Sequence, residues 1–87
     1  MSQPDPSKQP LLRLRVIAEA DPQSLSRVLE RFSNLHITPR RVHAERGCND
    51  VLHIEVDVAG LSEDRMTLIT GKVSQATLVL SACWHRV

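Results

Sequence analysis

Hydrophobic and polar residues alternate from Leu11 to Glu19, with Leu12, Leu14, Val16 and Ala18 on one side and Arg13, Arg15 and Glu19 on the other. A period of two is the mark of a half-buried β-strand. The period then lengthens. Leu25, Val28, Leu29 and Phe32 stand at helical spacing, opposed by Arg27, Glu30 and Arg31, so one apolar stripe runs along a helix. Asp21 occupies the N-cap position and Pro22 the first helical one. Ser24 stands where a capping box would need Glu or Gln, so Asp21 is expected to cap alone. Asn34 is predicted to stop the helix in a left-handed conformation.

Two further strands are predicted over 37–45 and 51–58, joined by Arg46, Gly47, Cys48, Asn49 and Asp50. A register pairing Val42 with Ile54 and Ala44 with Leu52 puts all four on the core face. It opposes Arg41 to Glu55 and His43 to His53 on the other face. Pro39 lacks an N–H for a ladder, which assigns this strand to a sheet edge. Ser62 can cap a second helix, with Leu61 stapling onto Met66 and Ile69 and Val73 continuing the stripe. Gly71 costs this helix about 1 kcal/mol relative to Ala. A last strand over 77–85 is predicted to turn Leu78, Leu80, Ala82 and Trp84 inward.

The order is therefore βαββαβ. Elements with one apolar face each are satisfied by an α+β two-layer sandwich, helices on one face of an antiparallel sheet. Right-handed crossovers give the strand order 4-1-3-2. The other sheet face would carry Arg13, Arg15, Arg41, His43, His53, Glu55 and Asp57. Residues 1–10, with Pro4, Pro6 and Pro10 among polar residues, read as a flexible tail, and residues 11–87 as the folded domain.

Composition narrows the function. In a chain of 87 residues with 11 Lys and Arg against 10 Asp and Glu, a net charge of +1 gives no field for nucleic acid or an anionic membrane surface. No apolar run approaches the roughly 20 residues that cross a bilayer. Cys48 and Cys83 make no disulfide framework and Met1 to Pro10 has no apolar signal core, so a cytoplasmic protein with reduced thiols is expected.

The candidate chemistries lack their parts. Opposed His43 and His53 are two ligands, whereas structural zinc needs four at recognisable spacings, so no metal site and no cofactor are assigned. A metallochaperone of this topology would carry paired cysteines after strand one, where Ala20, Asp21, Pro22 and Gln23 stand. An RNA-binding sheet would stack bases on aromatics at positions held here by Arg13, Arg15, His53 and Glu55. Cys48 and Cys83 have no base placed to activate them, and the scattered Gly47, Gly60 and Gly71 form no phosphate loop. No catalytic residue is assigned. A small enzyme built on Cys48 or the His43 and His53 pair is the remotest reading.

Surface remains. Ile17 and Val79 are predicted on the open face of neighbouring strands, with Val51 beside them, as a small apolar partner-binding patch. The edge strand around Arg40 and Arg41 offers backbone pairing as a second docking place.

The stretch from Asp21 to Ser33, Asp-Pro-Gln-Ser-Leu-Ser-Arg-Val-Leu-Glu-Arg-Phe-Ser, resembles the first loop and helix of ACT domains. It is most similar to those of acetolactate synthase small subunits, where Leu-Ser-Arg-Val and a following Phe-Ser recur. The likeness covers about residues 11 to 85 and is sharp only in that first helix. It implies a ferredoxin-like ACT fold and a homodimer through ACT domains. It also implies a non-catalytic role in branched-chain amino-acid biosynthesis: binding and activating the thiamine-diphosphate-dependent large subunit, and in many members relaying inhibition by valine. The chain resembles the short, single-domain type.

Effector-binding members use an Asn and a Gly in the loop before helix one and an Asn near strand two of the neighbouring subunit. The matching positions here are Ala20, Gln23 and His36, with Asp21 inside the same loop. A side chain at Gln23 fills space that glycine leaves for a ligand, and Ala20 offers no amide. The resemblance therefore implies activation with weak or absent valine binding. The rival reading is a free-standing ACT sensor that binds an amino acid or other small ligand as a dimer.

Overall fold

A computed structural model describes residues 10–87 of the chain. The expected tail, apart from Pro10, lies outside the described residues. The elements are β1 (Leu11–Glu19), α1 (Ser24–Ser33), β2 (Arg41–Arg46), β3 (Val51–Ala59), α2 (Glu63–Ser74) and β4 (Val79–Arg86). They form one antiparallel sheet in the order β2-β3-β1-β4, which is the predicted 4-1-3-2. Both helices lie on one face. Their stripes, through Val28 and Phe32 and through Met66, Ile69 and Val73, bury against Leu12, Leu14, Val16, Ala18, Ile54, Val56 and Val58. That burial is the main source of stability in a chain of this length.

Local chemistry sets the element ends, and in several places differently from expectation. Regular helix α1 begins at Ser24, two residues after Pro22. Asp21 still caps the turn that leads into it, because its Oδ1 accepts the Gln23 N–H at 2.8 Å. Asn34 is not the left-handed stop, since its φ is −63°. That role falls to His36, at φ 57°. The Ile37 N–H reaches Phe32 O at 2.9 Å and the His36 N–H reaches Ser33 O at 3.0 Å, the paired bonds of a Schellman motif. The helix end thus uses residues 35–37, and β2 begins only at Arg41. Ser62 caps α2 as predicted, accepting from the Arg65 N–H at 3.2 Å.

The β2–β3 hairpin keeps the predicted faces but shifts by two residues. Val42 pairs with Val56, Ala44 with Ile54, Arg41 with Asp57 and His43 with Glu55. The cause is a tighter turn. Asn49 and Asp50 both take positive φ, 63° and 55°, which these two residue types tolerate, and the Gly47 N–H already bonds Val51 O at 2.9 Å. His43 and His53 are therefore not opposed. His43 lies 3.4 Å from Glu45 instead.

The β1–β4 pairing carries a bulge. Ile17 faces Ser81 and Ala18 faces Val79, leaving Leu80 as the extra residue. An extra residue reverses the side-chain alternation beyond it. Val79 consequently packs against the core, whereas Leu80, predicted inward, is 59% exposed.

Candidate functional site

The loop that the sequence singled out, Ala20 to Ser24, is closed on itself. The Ala20 N–H donates to Asp50 O at 2.9 Å, the Asp21 N–H to Glu19 O at 2.8 Å and the Ser24 N–H to Asp21 O at 3.0 Å. With Gln23 bonded to the Asp21 carboxylate and Pro22 carrying no N–H, every amide from residue 20 to 24 is committed. The buried Ser24 hydroxyl locks the loop from below by donating to Glu19 O at 2.6 Å. The Gln23 side chain accepts from Arg27 at 3.2 Å.

The cavity outside this loop, about 460 Å³, is lined by Glu19, Ala20, Asp21, Asn49, Asp50, Val51 and Leu80. Among the described residues three carboxylates and no cation line it, although the Asp50 carboxylate is paired with Arg46 at 3.1 Å. An amino-acid carboxylate entering there would meet like charge and find no free loop amide. His36, the third position matched to an effector site, stands beyond the far end of the ten-residue α1, about 15 Å along the helix axis. Within one chain Ala20, Asp21 and Gln23 come together and His36 does not.

The open sheet face holds a second feature, an alternating charge ladder. Arg13 grips Asp57 with both ends of its guanidinium, Nε to Oδ1 at 2.7 Å and Nη2 to Oδ2 at 2.9 Å. Arg41 lies 3.6 Å from Asp57 and 3.5 Å from Glu55, and Arg15 lies 3.7 Å from Glu55. The Arg13 hydrogen bonds hold the Asp57 carboxyl below its ordinary pKa; burial opposes this, and the charges of Arg13 and Arg41 add to the lowering. The mirror effect raises Arg13. Further along the same face a shallow groove of about 430 Å³ runs between Arg15, Ile17, His43, His53, Glu55 and Cys83. Among the described residues no group of three metal-ligating side chains converges.

The expected partner-binding residues are split. Ile17 is on the open face, 37% exposed, but Val79 is turned into the core by the bulge, and Leu80 stands beside Val51 in its stead. Arg40 and Arg41 lead into the edge strand as predicted, yet Arg41 is bound into the charge ladder and the Arg40 N–H donates to Asp57 O at 2.7 Å. The whole of β2 is exposed, including Val42 at 41% on the helix side of the sheet.

Sequence reading passed over Leu35 and Leu68, which are 40% and 67% exposed. The available signal was two large apolar residues lying off the helix stripes. They border clefts between the helices together with Ile69, Arg31, Arg65 and Lys72.

A family model described as an ACT-like domain matches residues 5–87. The chain belongs to the ACT-like domain family, a class of regulatory rather than catalytic module. Among solved structures it is similar to the C-terminal domain of the MgtC protein from Mycobacterium tuberculosis, with a TM-score of 0.76 at 16% identity, covering 97% of this chain and 94% of that one. It is also similar to the ACT domain of GTP pyrophosphokinase from Chlorobium tepidum, with a TM-score of 0.71 at 12% identity, covering 92% of this chain and all of that one. A homoserine dehydrogenase from Thiobacillus denitrificans aligns at a TM-score of 0.72 and 14% identity, over 97% of this chain but 19% of its own. At such identities the likeness is one of fold. No curated protein matches the sequence. Among the described residues no helix is long and apolar enough to cross a membrane.

Proposed function

We propose that this chain is an activating regulatory subunit that works through protein contact, with its amino-acid-binding loop out of use. The observation that carries this reading is the closed loop. An effector site needs free amides and a tolerant field, and the loop from Ala20 to Ser24 offers committed amides beside three carboxylates.

The exposed β2 supports association as the mode of action. The Gly47 N–H bonds β3, so by antiparallel alternation the N–H groups of Val42, Ala44 and Arg46 point away from the sheet. A second copy pairing there would extend the sheet and cover Val42 and Ala44. The catalytic partner is the thiamine-diphosphate-dependent large subunit of acetolactate synthase, a choice resting on the likeness of Asp21 to Ser33 to small subunits of that enzyme. Binding activates only through higher affinity for the active form of the large chain.

Mixing the purified chain with an acetolactate synthase large subunit from the same source, with and without valine, tests both halves. The expected result is co-elution and a faster rate that valine leaves unchanged. A rate unaffected by the chain would remove the acetolactate synthase assignment, and saturable valine binding by the isolated chain would overturn the closed loop.

A further inference from the structure

Eight of the ten Lys and Arg side chains among the described residues fall into two sets, Arg27, which donates to Gln23, and Arg40 standing outside both. On the sheet and at its ends Arg13, Arg15, Arg41, Arg46 and Arg86 each lie against a carboxylate. On the helix layer Arg31, Arg65 and Lys72 pair with none among the described residues. These three border two adjoining clefts, of about 130 and 90 Å³, where the end of α1 meets α2. Among the described residues no acidic one lines either cleft. The floor is apolar: Ile69 is buried, while Leu35 and Leu68 stand 40% and 67% exposed. Arg65, Leu68, Ile69 and Lys72 follow one another at helical spacing, so a single ridge of α2 presents the apolar side chains between two cations.

We infer that this helix-layer cleft is a docking site for an acidic segment of a partner protein, one that inserts a single branched aliphatic side chain between Leu35 and Leu68 and sets carboxylates against Arg31, Arg65 and Lys72. Four arguments select that occupant. The cleft volume suits one anchoring side chain, the usual core of an interface hot spot. The rim is of one sign and unpaired, so carboxylates gain contacts without displacing existing ones. A second copy presenting this same face would oppose like charges, which disfavours a symmetric dimer here. An anionic lipid surface is disfavoured because Glu63 and Asp64 lie on the same helix and the chain's net charge is only +1. The inference goes beyond the activating role and holds whichever catalytic chain is the partner.

The test is a nuclear magnetic resonance titration of the full-length chain with a synthetic helical peptide carrying one leucine flanked by glutamates at i±3 and i±4. A lysine-for-glutamate version and a serine-for-leucine version serve as controls. The acidic peptide is expected to shift the amides of Leu35, Leu68 and Ile69, to bind more weakly as salt rises, and to lose about tenfold in affinity with Leu68→Glu or Lys72→Glu. Both substitutions are at exposed positions. Equal binding of the lysine peptide, shifts centred on β2 or the open sheet face, or no shifts at all would overturn the inference. So would capture of the chain by phosphatidylserine vesicles in place of the peptide. None of these results bears on the activation assay, so the two proposals fail separately.

Discussion

The two edges of the sheet have been finished in opposite ways. At β4, helix α2 lies over the strand, the Trp84 Nε1 donates to Thr67 Oγ1 at 3.0 Å, and Arg86 pairs with Glu63 at the helix start. A bulge at Leu80 breaks the regular edge, a device that discourages pairing with another strand. At β2 no described residue gives such cover. Every residue of β2 is exposed, and its side-chain ties beyond the ladder include the reach of Arg41 to Glu55 and Asp57 and the pairing of Arg46 with Asp50 in the turn. One edge is therefore built into the monomer and the other is left available, and that available edge is the one through which we propose that the chain associates.

The contrast can be broken first at β4. Trp84→Ala removes the half-buried ring and its bond to Thr67, and is expected to destabilise the fold by about 3 kcal/mol in a denaturant titration. A loss below about 1 kcal/mol would mean that α2 does not depend on this edge. Next is Asp57, where arginines of β1 and β2 meet. Asp57→Asn should cost about 2 kcal/mol, since it removes charge-assisted hydrogen bonds to a buried carboxylate. Because the folded carboxyl is held below its ordinary pKa, the wild-type contribution is complete above the unfolded value of about 3.9 and fades as pH falls through the folded one. Asp57→Asn should lose that acid-side slope, and an unchanged slope would assign the acid sensitivity to other carboxylates.

Gly71→Ala sharpens the comparison from the stabilising side. A Cβ built at Gly71 meets nothing within 4 Å, so the substitution should add up to about 1 kcal/mol to α2 and leave self-association unchanged. The smallest effect on monomer stability is expected from Val42→Lys, within about 0.5 kcal/mol in dilute solution, although this substitution should weaken association markedly. Val42 is a better probe of the edge than Arg41, whose charge reversal would also break the ladder to Asp57 and Glu55.

Much of this architecture was legible in the residue pattern. Period-two alternation marked β1 over its full length, and the stripe through Val28 and Phe32 marked α1; the edge position expected from Pro39 is the one β2 takes, although Pro39 itself precedes the strand. What escaped were features that cost only one or two residues. The hairpin register depends on how tightly Asn49 and Asp50 turn, and two registers differing by two residues place the same side chains on the same faces. The β4 bulge gives no compositional signal, so Val79 and Leu80 exchanged sides. His36 replaced Asn34 at the end of α1 because the paired Schellman bonds, with Ile37 packing against the core, fix the position that must be left-handed. The closing of the loop was not legible: the sequence marked only Ala20 and Gln23 as departures from an effector loop, and the backbone bonds that close it join residues of β1, the loop and the β2–β3 turn. The cleft at Leu35 and Leu68 stayed hidden because an exposed leucine is ordinary until its neighbours in space are known.

The most direct test of the central claim, that the chain acts through its open edge, is backbone hydrogen exchange on β2 at low and high protein concentration. Slower exchange at the higher concentration, confined to the N–H groups of Val42, Ala44 and Arg46 and abolished by Ala44→Pro, is the predicted result. Exchange at these three positions that is independent of concentration, with the chain sedimenting as a monomer, would contradict it.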